Sequence, residues 1–409
     1  MNTNVLLNQR KNGVRMPSQP AVIIYRDWLL EPSETFVLGQ AEALRGFTPH
    51  YVGSRFKKGL VTPEERTLVL NRGGLMGWAR EVPYKLAGFA PTLFHRLQKL
   101  NPVLIHAHFG IGGTLALPLK RVLKVPMLVT YHGYEELISD ELARRSYFSH
   151  RVYVRRKEQL KREARLFIAV SNYSKENLLK QGFPPDKIVV HYIGIDTDAF
   201  QPDPAVPREP VVLFVARLVE KKGCEYLIRA MSKVQAVRPD VELVVIGDGK
   251  LRPSLERLAQ EKLQRYRFLG VQAPESVRAW MNRAKVFSVP SIVAKSGDAE
   301  GFGMVFAEAQ AMGLPVVSFA SGAIPEAVAH GEVGFLVAER DWEELAKHIL
   351  LLLEDDNLWH RFSEFGPRRV RALFDLQKQT GVLEEIYEQV LRDFQTRGEV
   401  SVDTTESVG

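Results

Sequence analysis

Short, wholly apolar runs followed by helical stretches recur along this chain, and that rhythm restricts it to parallel sheets covered by helices on both faces. In the first half the runs lie at 22–25, 103–107, 127–131 and 166–170, separated by stretches with helical spacing such as 35–45 and 116–123. Between Asp196 and Pro210 the periodicity lapses and four prolines appear, which predicts a linker between two domains. A second series begins at 211, with strands expected at 211–215, 242–246, 267–269, 286–289 and 316–319, and helices at 342–353, 358–365 and 376–394. With 409 residues, 45% of them hydrophobic, the chain can bury two cores. The expected division is a first α/β domain at 20–195, a linker at 196–210 and a second α/β domain at 211–375. Tails at 1–19 and 397–409 carry no core pattern and are expected to be disordered.

The second domain holds the strongest chemical signal. Glu300 opens a segment in which Gly301 and Gly303 remove the Cβ atoms that would keep a ligand off the backbone, and Phe302, Met304 and Val305 lead into a helix. The free amides and the positive end of the dipole at such a helix start suit an anion such as a diphosphate. Glu300 then stands at the mouth, ready to accept hydrogen bonds from sugar hydroxyls. Glu308, further along the helix, suits a ribose diol. An ordinary αβ unit with solvated glutamates is the competing reading. Arg217 and Lys222 follow the strand at 211–215, where ligands of open α/β sheets gather, and two cations there would stabilise a departing diphosphate. Lys221 is an alternative to Lys222, and the glycine after Lys222 favours the latter. The Gly247-Asp248-Gly249 turn brings Gly247 into reach of a nucleotide.

These motifs, with Thr130-Tyr131-His132-Gly133-Tyr134-Glu135 and Ser321-Gly322-Ala323-Ile324-Pro325-Glu326, resemble the retaining glycosyltransferases of family 4. The resemblance runs from about Ile23 to about Phe394. It implies the GT-B fold: two Rossmann-like, doubly wound domains with a cleft between them, residues 376–395 returning as a helix to the first. It also implies that Arg217 and Lys222 bind the donor diphosphate, that Gly247, Gly301, Phe302, Gly303, Met304, Val305 and Glu308 contact the donor, and that His132 faces the donor sugar. Ser33-Glu34-Thr35-Phe36 and His106-Ala107-His108-Phe109-Gly110 resemble the branch that builds exopolysaccharides of the colanic acid kind.

On the acceptor side, His108 and Glu34 are the candidates, although Glu34 suits equally well a cap of the following helix. His106 is read as structural, and the two histidines are expected to point to opposite faces of their strand and so not to share a metal. Asp196-Thr197-Asp198 resembles a metal-binding pair but falls in the linker, so no metal site is expected and no divalent ion or other cofactor is required. A single cysteine, Cys224, excludes an internal disulfide. No run approaches the ~18 apolar residues of a membrane span.

Charge is uneven. Residues 1–200 hold 29 Lys and Arg against 17 Asp and Glu, a net +12, whereas 201–409 hold 26 against 31, a net −5. Much of the excess lies between Arg144 and Arg165, interleaved with aromatic residues, which suits an anionic membrane surface or a solvated helix face. Nucleic acid is disfavoured because no recognised module accompanies the charge. The expectation is a cytoplasmic glycosyltransferase on the inner face of the membrane, moving a sugar from a UDP- or GDP-linked donor to a lipid-diphosphate-linked saccharide. A soluble acceptor, a sugar-nucleotide epimerase and a non-catalytic membrane scaffold are the alternatives.

Overall fold

The computed structural model describes residues 19–133, 135–137, 140–145 and 147–403. Fourteen strands form two sheets, every pairing within them parallel. The first contains β1 (Ala21–Tyr25), β2 (Trp28–Leu29), β3 (Thr48–Phe56), β4 (Thr67–Asn71), β5 (Leu104–His108), β6 (Met127–Tyr131), β7 (Leu166–Ala169) and β8 (Ile188–Val190). Its order is β2-β3-β1-β5-β6-β7-β8, with β4 on the free side of β3. The second contains β9 (Glu209–Val215), β10 (Glu242–Ile246), β11 (Tyr266–Gly270), β12 (Ala284–Phe287), β13 (Val316–Phe319) and β14 (Gly334–Val337), in the order β11-β10-β9-β12-β13-β14. β5 and β6 are buried along their whole length, as runs covered on both faces must be.

Several elements differ from expectation. β3 was hidden because Pro49, Gly53 and polar residues mask its alternation; a Cβ on Gly53 would lie 2.8 Å from the Arg26 carbonyl oxygen. The helix expected at 116–123 starts at Phe109. Its glycines lower helix propensity, but Gly110 and Gly113 let the helix press against Tyr131, Tyr153, Val129 and Leu160, and packing overrides propensity. The helix Asp356–Leu373 outruns the expected 358–365.

The last helix, Leu376–Asp403, continues beyond 395, into what was expected to be a disordered tail, because extending an existing helix costs far less than nucleating one. Residues 404–409 and 1–18 of the expected tails lie outside the described residues. This helix lies on the first domain, where Leu383, Tyr387 and Val390 join a core with Val22, Ile24, Leu128 and Ile168.

The basic segment 144–165 is also not the continuous surface helix expected. It falls into helices Asp140–Arg145 and Phe148–Glu163, and Tyr153, Lys157, Leu160 and Lys161 of the second are buried. Lys157 pairs with Asp140 at 2.5 Å and Lys161 with Glu158 at 2.6 Å, so part of the charge holds the fold together.

The two chain crossings between domains run side by side. Ile195 N–H donates to the Phe374 carbonyl at 2.8 Å and Leu376 N–H to the Ile195 carbonyl at 2.9 Å. A Cβ on Gly194 would sit 2.5 Å from Leu376 Cα, so this close approach requires glycine.

Candidate active site

A cleft of about 790 Å³ opens between the domains, at the C-terminal ends of both sheets. The walls meet at two glycines: a Cβ on Gly133 would lie 2.5 Å from Gly301 Cα, and one on Gly301 would lie 2.7 Å from the His132 carbonyl oxygen. Two backbones therefore touch across the domain boundary, beside the groups expected to act.

On the second-domain wall, Gly303 adopts φ +82° and starts the helix Met304–Ala311, whose first residues line the cleft. Lys222 Nζ lies 2.5 Å from Glu300 Oε2, so the cation expected on the diphosphate and the carboxylate expected on the sugar form one ion pair. Ser291 Oγ donates to the same oxygen at 3.3 Å. Burial opposes ionisation of Glu300, yet the adjacent Lys222 and Lys221 outweigh it and hold the carboxyl at about 2. The Lys222 ammonium is lowered by burial, which Glu300 partly offsets.

Lys221 turns away: its Nζ pairs with Asp298 at 2.9 Å and bonds the Ala299 carbonyl at 3.3 Å, bracing the approach to Glu300. Arg217, by contrast, is exposed at the cleft edge with no ion pair among the described residues. Glu308 also lines the cleft without a partner among the described residues, and burial pushes its carboxyl up to about 7. Gly247 does not line this cleft. At φ +132° its place is set by the backbone, since a Cβ would fall 1.9 Å from the Ala216 carbonyl oxygen.

The first-domain wall is built around His132, at the end of β6. Its Nε2 meets His108 Nδ1 at 3.0 Å, the two rings stack with centroids 5.3 Å apart, and Phe36 and Phe109 flank it at 4.8 and 4.7 Å. Burial, then the charges of His106 and Arg26, keep its pKa well below the usual histidine range, so the ring is neutral at pH 7.

His108 is buried and stands behind His132 rather than in the cleft, which corrects the acceptor-side expectation. The expectation that His106 and His108 face opposite ways is also overturned. Residues two apart on a strand share a face, and the rings lie 4.3 Å apart. His106 bonds Tyr387 Oη at 2.5 Å and Thr130 Oγ1 at 2.6 Å, tying the last helix to β6.

Glu34 precedes the helix Thr35–Glu42 but makes no side-chain cap bond there. Instead it accepts from Arg26 Nη2 at 2.8 Å and Arg26 Nε at 2.9 Å, and it lines the cleft. Arg26 lies 4.1 Å over the Phe109 ring. Arg26 and Glu135 were missed by sequence reasoning. A place just past β1 was the only signal for the first, and the quoted His132-Gly133 motif contains the second. Glu135 is buried against the cleft, accepts from Ile111 N–H at 3.4 Å and leaves Oε2 without a partner among the described residues; burial, then Glu136, pushes its carboxyl up to about 7. In the linker, Asp196 accepts from the Asp198 and Ala199 N–H groups at 3.0 Å, an Asx turn.

Comparison with known proteins follows the two halves of the cleft. A family profile described as glycosyl transferases group 1 matches residues 196–369, and one described as Glycosyltransferase Family 4 matches residues 34–199. A putative colanic acid biosynthesis glycosyltransferase of Salmonella typhimurium is 33% identical over 253 residues, 59% of each chain. The amylovoran biosynthesis glycosyltransferase of Erwinia amylovora is 31% identical over 257 residues, 61% of each chain. The chain thus spans about three fifths of the length of these relatives. A D-inositol 3-phosphate glycosyltransferase of Corynebacterium aurimucosum is 30% identical over 73% of this chain and 75% of its own.

Among solved structures, Anabaena HepE in complex with UDP and glucose superposes with TM-score 0.72 at 21% identity, covering 90% of this chain and 99% of that one. Sucrose-phosphate synthase from Thermosynechococcus elongatus gives 0.72 at 24%, covering 92% and 100%. At such identities the likeness establishes the shared GT-B architecture.

Proposed function

Because the chain belongs to the group 1 and family 4 glycosyltransferases, we propose that it moves a sugar from a UDP- or GDP-linked donor to a saccharide acceptor with retained anomeric configuration. One observation carries the reading: a glycine-started helix, the exposed Arg217 and the unpartnered Glu308 line one wall of the cleft, and neutral His132 stands on the other, where the backbones touch. Arg217 and the first amides of the helix Met304–Ala311 hold the diphosphate. Glu308 accepts from the ribose diol. Glu300, oriented by Lys222, accepts from sugar hydroxyls. The names of relatives support this donor class, since two from Mycobacterium tuberculosis strains are GDP-mannose-dependent and Anabaena HepE was solved with UDP.

In the transfer, the acceptor hydroxyl attacks the anomeric carbon on the face the diphosphate leaves. The bond from that carbon to the phosphate oxygen breaks, its electron pair goes to the diphosphate, and the same diphosphate takes the acceptor proton. Retention by double displacement would instead require a carboxylate beneath the anomeric carbon. Glu300 and Glu308 are assigned to sugar hydroxyls and ribose. With Arg217 and the helix terminus to neutralise charge, the step uses no divalent ion.

The acceptor we propose is a lipid-diphosphate-linked saccharide of bacterial exopolysaccharide or other cell-surface glycan synthesis, met at the cytoplasmic face of the membrane. Names of the colanic acid and amylovoran relatives support the glycan class. No described helix is long and apolar enough to cross a membrane. Peripheral contact is supported by Leu75, Met76, Trp78, Leu86 and Phe89, all exposed on or beside the helix Gly74–Ala87, with Arg72 and Arg80 among them. The buried Lys85 of that helix pairs with the cleft residue Asp27 at 2.8 Å, so the helix packs beside the first-domain wall of the cleft and turns its apolar residues to the outside.

A thermal-shift screen of sugar nucleotides tests the donor, because a ligand at ~100 times its dissociation constant adds about 2.7 kcal/mol of stability. Product analysis by NMR with the hit donor, in excess chelator, tests the chemistry. An inverted anomer, or turnover that returns only with added Mg²⁺ or Mn²⁺, refutes it.

A further inference from the structure

The Ser321–Glu326 segment belongs to the second domain, yet the Glu326 carboxylate is spent on the first. Its Oε2 accepts from Asn172 N–H at 2.8 Å, Asn172 Nδ2 at 2.9 Å and Tyr192 Oη at 3.0 Å, and its Oε1 accepts from Tyr173 N–H at 2.9 Å. Asn172 and Tyr173 open the helix Asn172–Lys180, whose own cap, Ser171 Oγ, serves only the Ser174 N–H. Two of the helix's orphan donors are therefore satisfied from the other domain, by an anion at the positive end of the dipole.

From that contact, hydrogen bonds lead to both walls of the cleft. In the first domain Ser174 Oγ donates to Glu136 Oε1 at 2.6 Å, and the same oxygen accepts the Gly133 N–H at 2.7 Å, next to His132. In the second, Ala323 N–H donates to the Glu300 carbonyl at 2.9 Å, and a Cβ on Gly322 would lie 2.6 Å from that oxygen. Tyr192, besides its bond to Glu326, packs on Phe302 and Phe374, one in the donor loop and one at the domain crossing. Behind Glu326, Arg369 donates to its backbone carbonyl at 2.9 Å.

We infer that Glu326 is a positioning residue, an interdomain clasp that holds His132 and Gly133 in register with Glu300 and Gly301. The clasp touches neither donor nor acceptor and acts through the Gly133 and Glu300 loops. Its bonds to Asn172 lie at the surface, where water competes and salt screens, so the clasp is releasable and compatible with donor entry between turnovers. The consequence for turnover rests on the proposed transferase activity; the clasp itself does not.

The test uses the full chain with Glu176→Cys and Glu332→Cys, both exposed, carrying spin labels; the only native cysteine, Cys224, is buried. Glu326→Gln keeps the shape but removes the charge and sets an NH2 group, itself a donor, against the donors at one of the two carboxylate oxygens. The expected result is a longer and broader inter-label distance than in the parent, at least a tenfold lower kcat, and nucleoside diphosphate affinity within about twofold, since the donor residues are untouched. Asn172→Asp, which sets a second carboxylate against Glu326 from the opposite domain, should reproduce this if Glu326→Gln does not fold. An unchanged distance distribution in a folded variant overturns the clasp. A broadened distribution with parental kcat overturns the positioning role. If the parent transfers no sugar while the variants still open, the functional reading fails and the clasp stands.

Discussion

Replacing Glu308 by glutamine should stabilise the protein at alkaline pH while weakening its grip on nucleotide. The Glu308 carboxyl is pushed by burial from 4.5 to about 7 and has no partner among the described residues. Between those values the native state keeps a proton that the unfolded chain has already released, so stability falls as pH rises through this window, and above about 7 the whole penalty is present. At 1.36 kcal/mol per pKa unit, the ionised carboxylate costs the apo protein about 3 kcal/mol at pH 8 and under about 1 kcal/mol at pH 5. Denaturant unfolding of apo wild type and Glu308→Gln at the two pH values measures the difference, and the mutant should gain most of that amount at pH 8 and little at pH 5. Calorimetric titration with UDP or GDP provides the second arm. A carboxylate that accepts from a ribose diol makes wild-type affinity rise as pH increases through about 7, whereas the mutant should bind weakly and with little pH dependence. A mutant no more stable than wild type at pH 8, or equally shifted at both pH values, would refute the account of Glu308 as a half-buried acid awaiting a ligand.

Lys222→Met leaves the Glu300 carboxylate buried beside a methyl group and should destabilise by about 3–5 kcal/mol, with the Glu300 pKa rising; unaltered denaturant midpoints would contradict the ion pair's role. Glu300→Gln should lower kcat by about ten- to a hundredfold, the cost of one charged hydrogen bond, with little change in nucleotide affinity, as read by steady-state kinetics. Gly133→Ala drives a methyl into the Gly301 backbone, so the domains must part; kcat should collapse while each domain stays folded by circular dichroism, and full activity would show that the contact can yield. Trp78→Ser with Leu75→Ser should abolish co-sedimentation with anionic vesicles, and retention of binding would move the membrane contact elsewhere on the protein.

Much of the architecture was legible because its signals are local. A buried strand shows as four or five consecutive apolar residues, and a glycine-started helix after Glu300 shows its purpose in the residues that make it. The parallel α/β organisation follows from those runs alone. Where glycines served packing instead of a turn, as at the start of the helix Phe109–Leu123, the same local rules began the helix seven residues late, at 116. β3 was missed for the converse reason, since its partners rather than its own alternation make it a strand.

The pairings that shape the candidate site came only from the tertiary structure. Lys222 and Glu300 are 78 positions apart, Glu326 and Asn172 154, and neither pair leaves a mark in any window of sequence. His108 was legible as a histidine at a strand end, but its place behind His132 depends on the register of β5 against β6. Backbone conformation is set largely by near neighbours, whereas the direction and ionisation of a side chain depend on what the folded chain brings within a few ångströms. For that reason the sequence by itself determined the parallel α/β organisation and the donor loop, and the folded contacts alone decided which strands complete the sheets, which carboxyl is held ionised, which is pushed up and which joins the two domains.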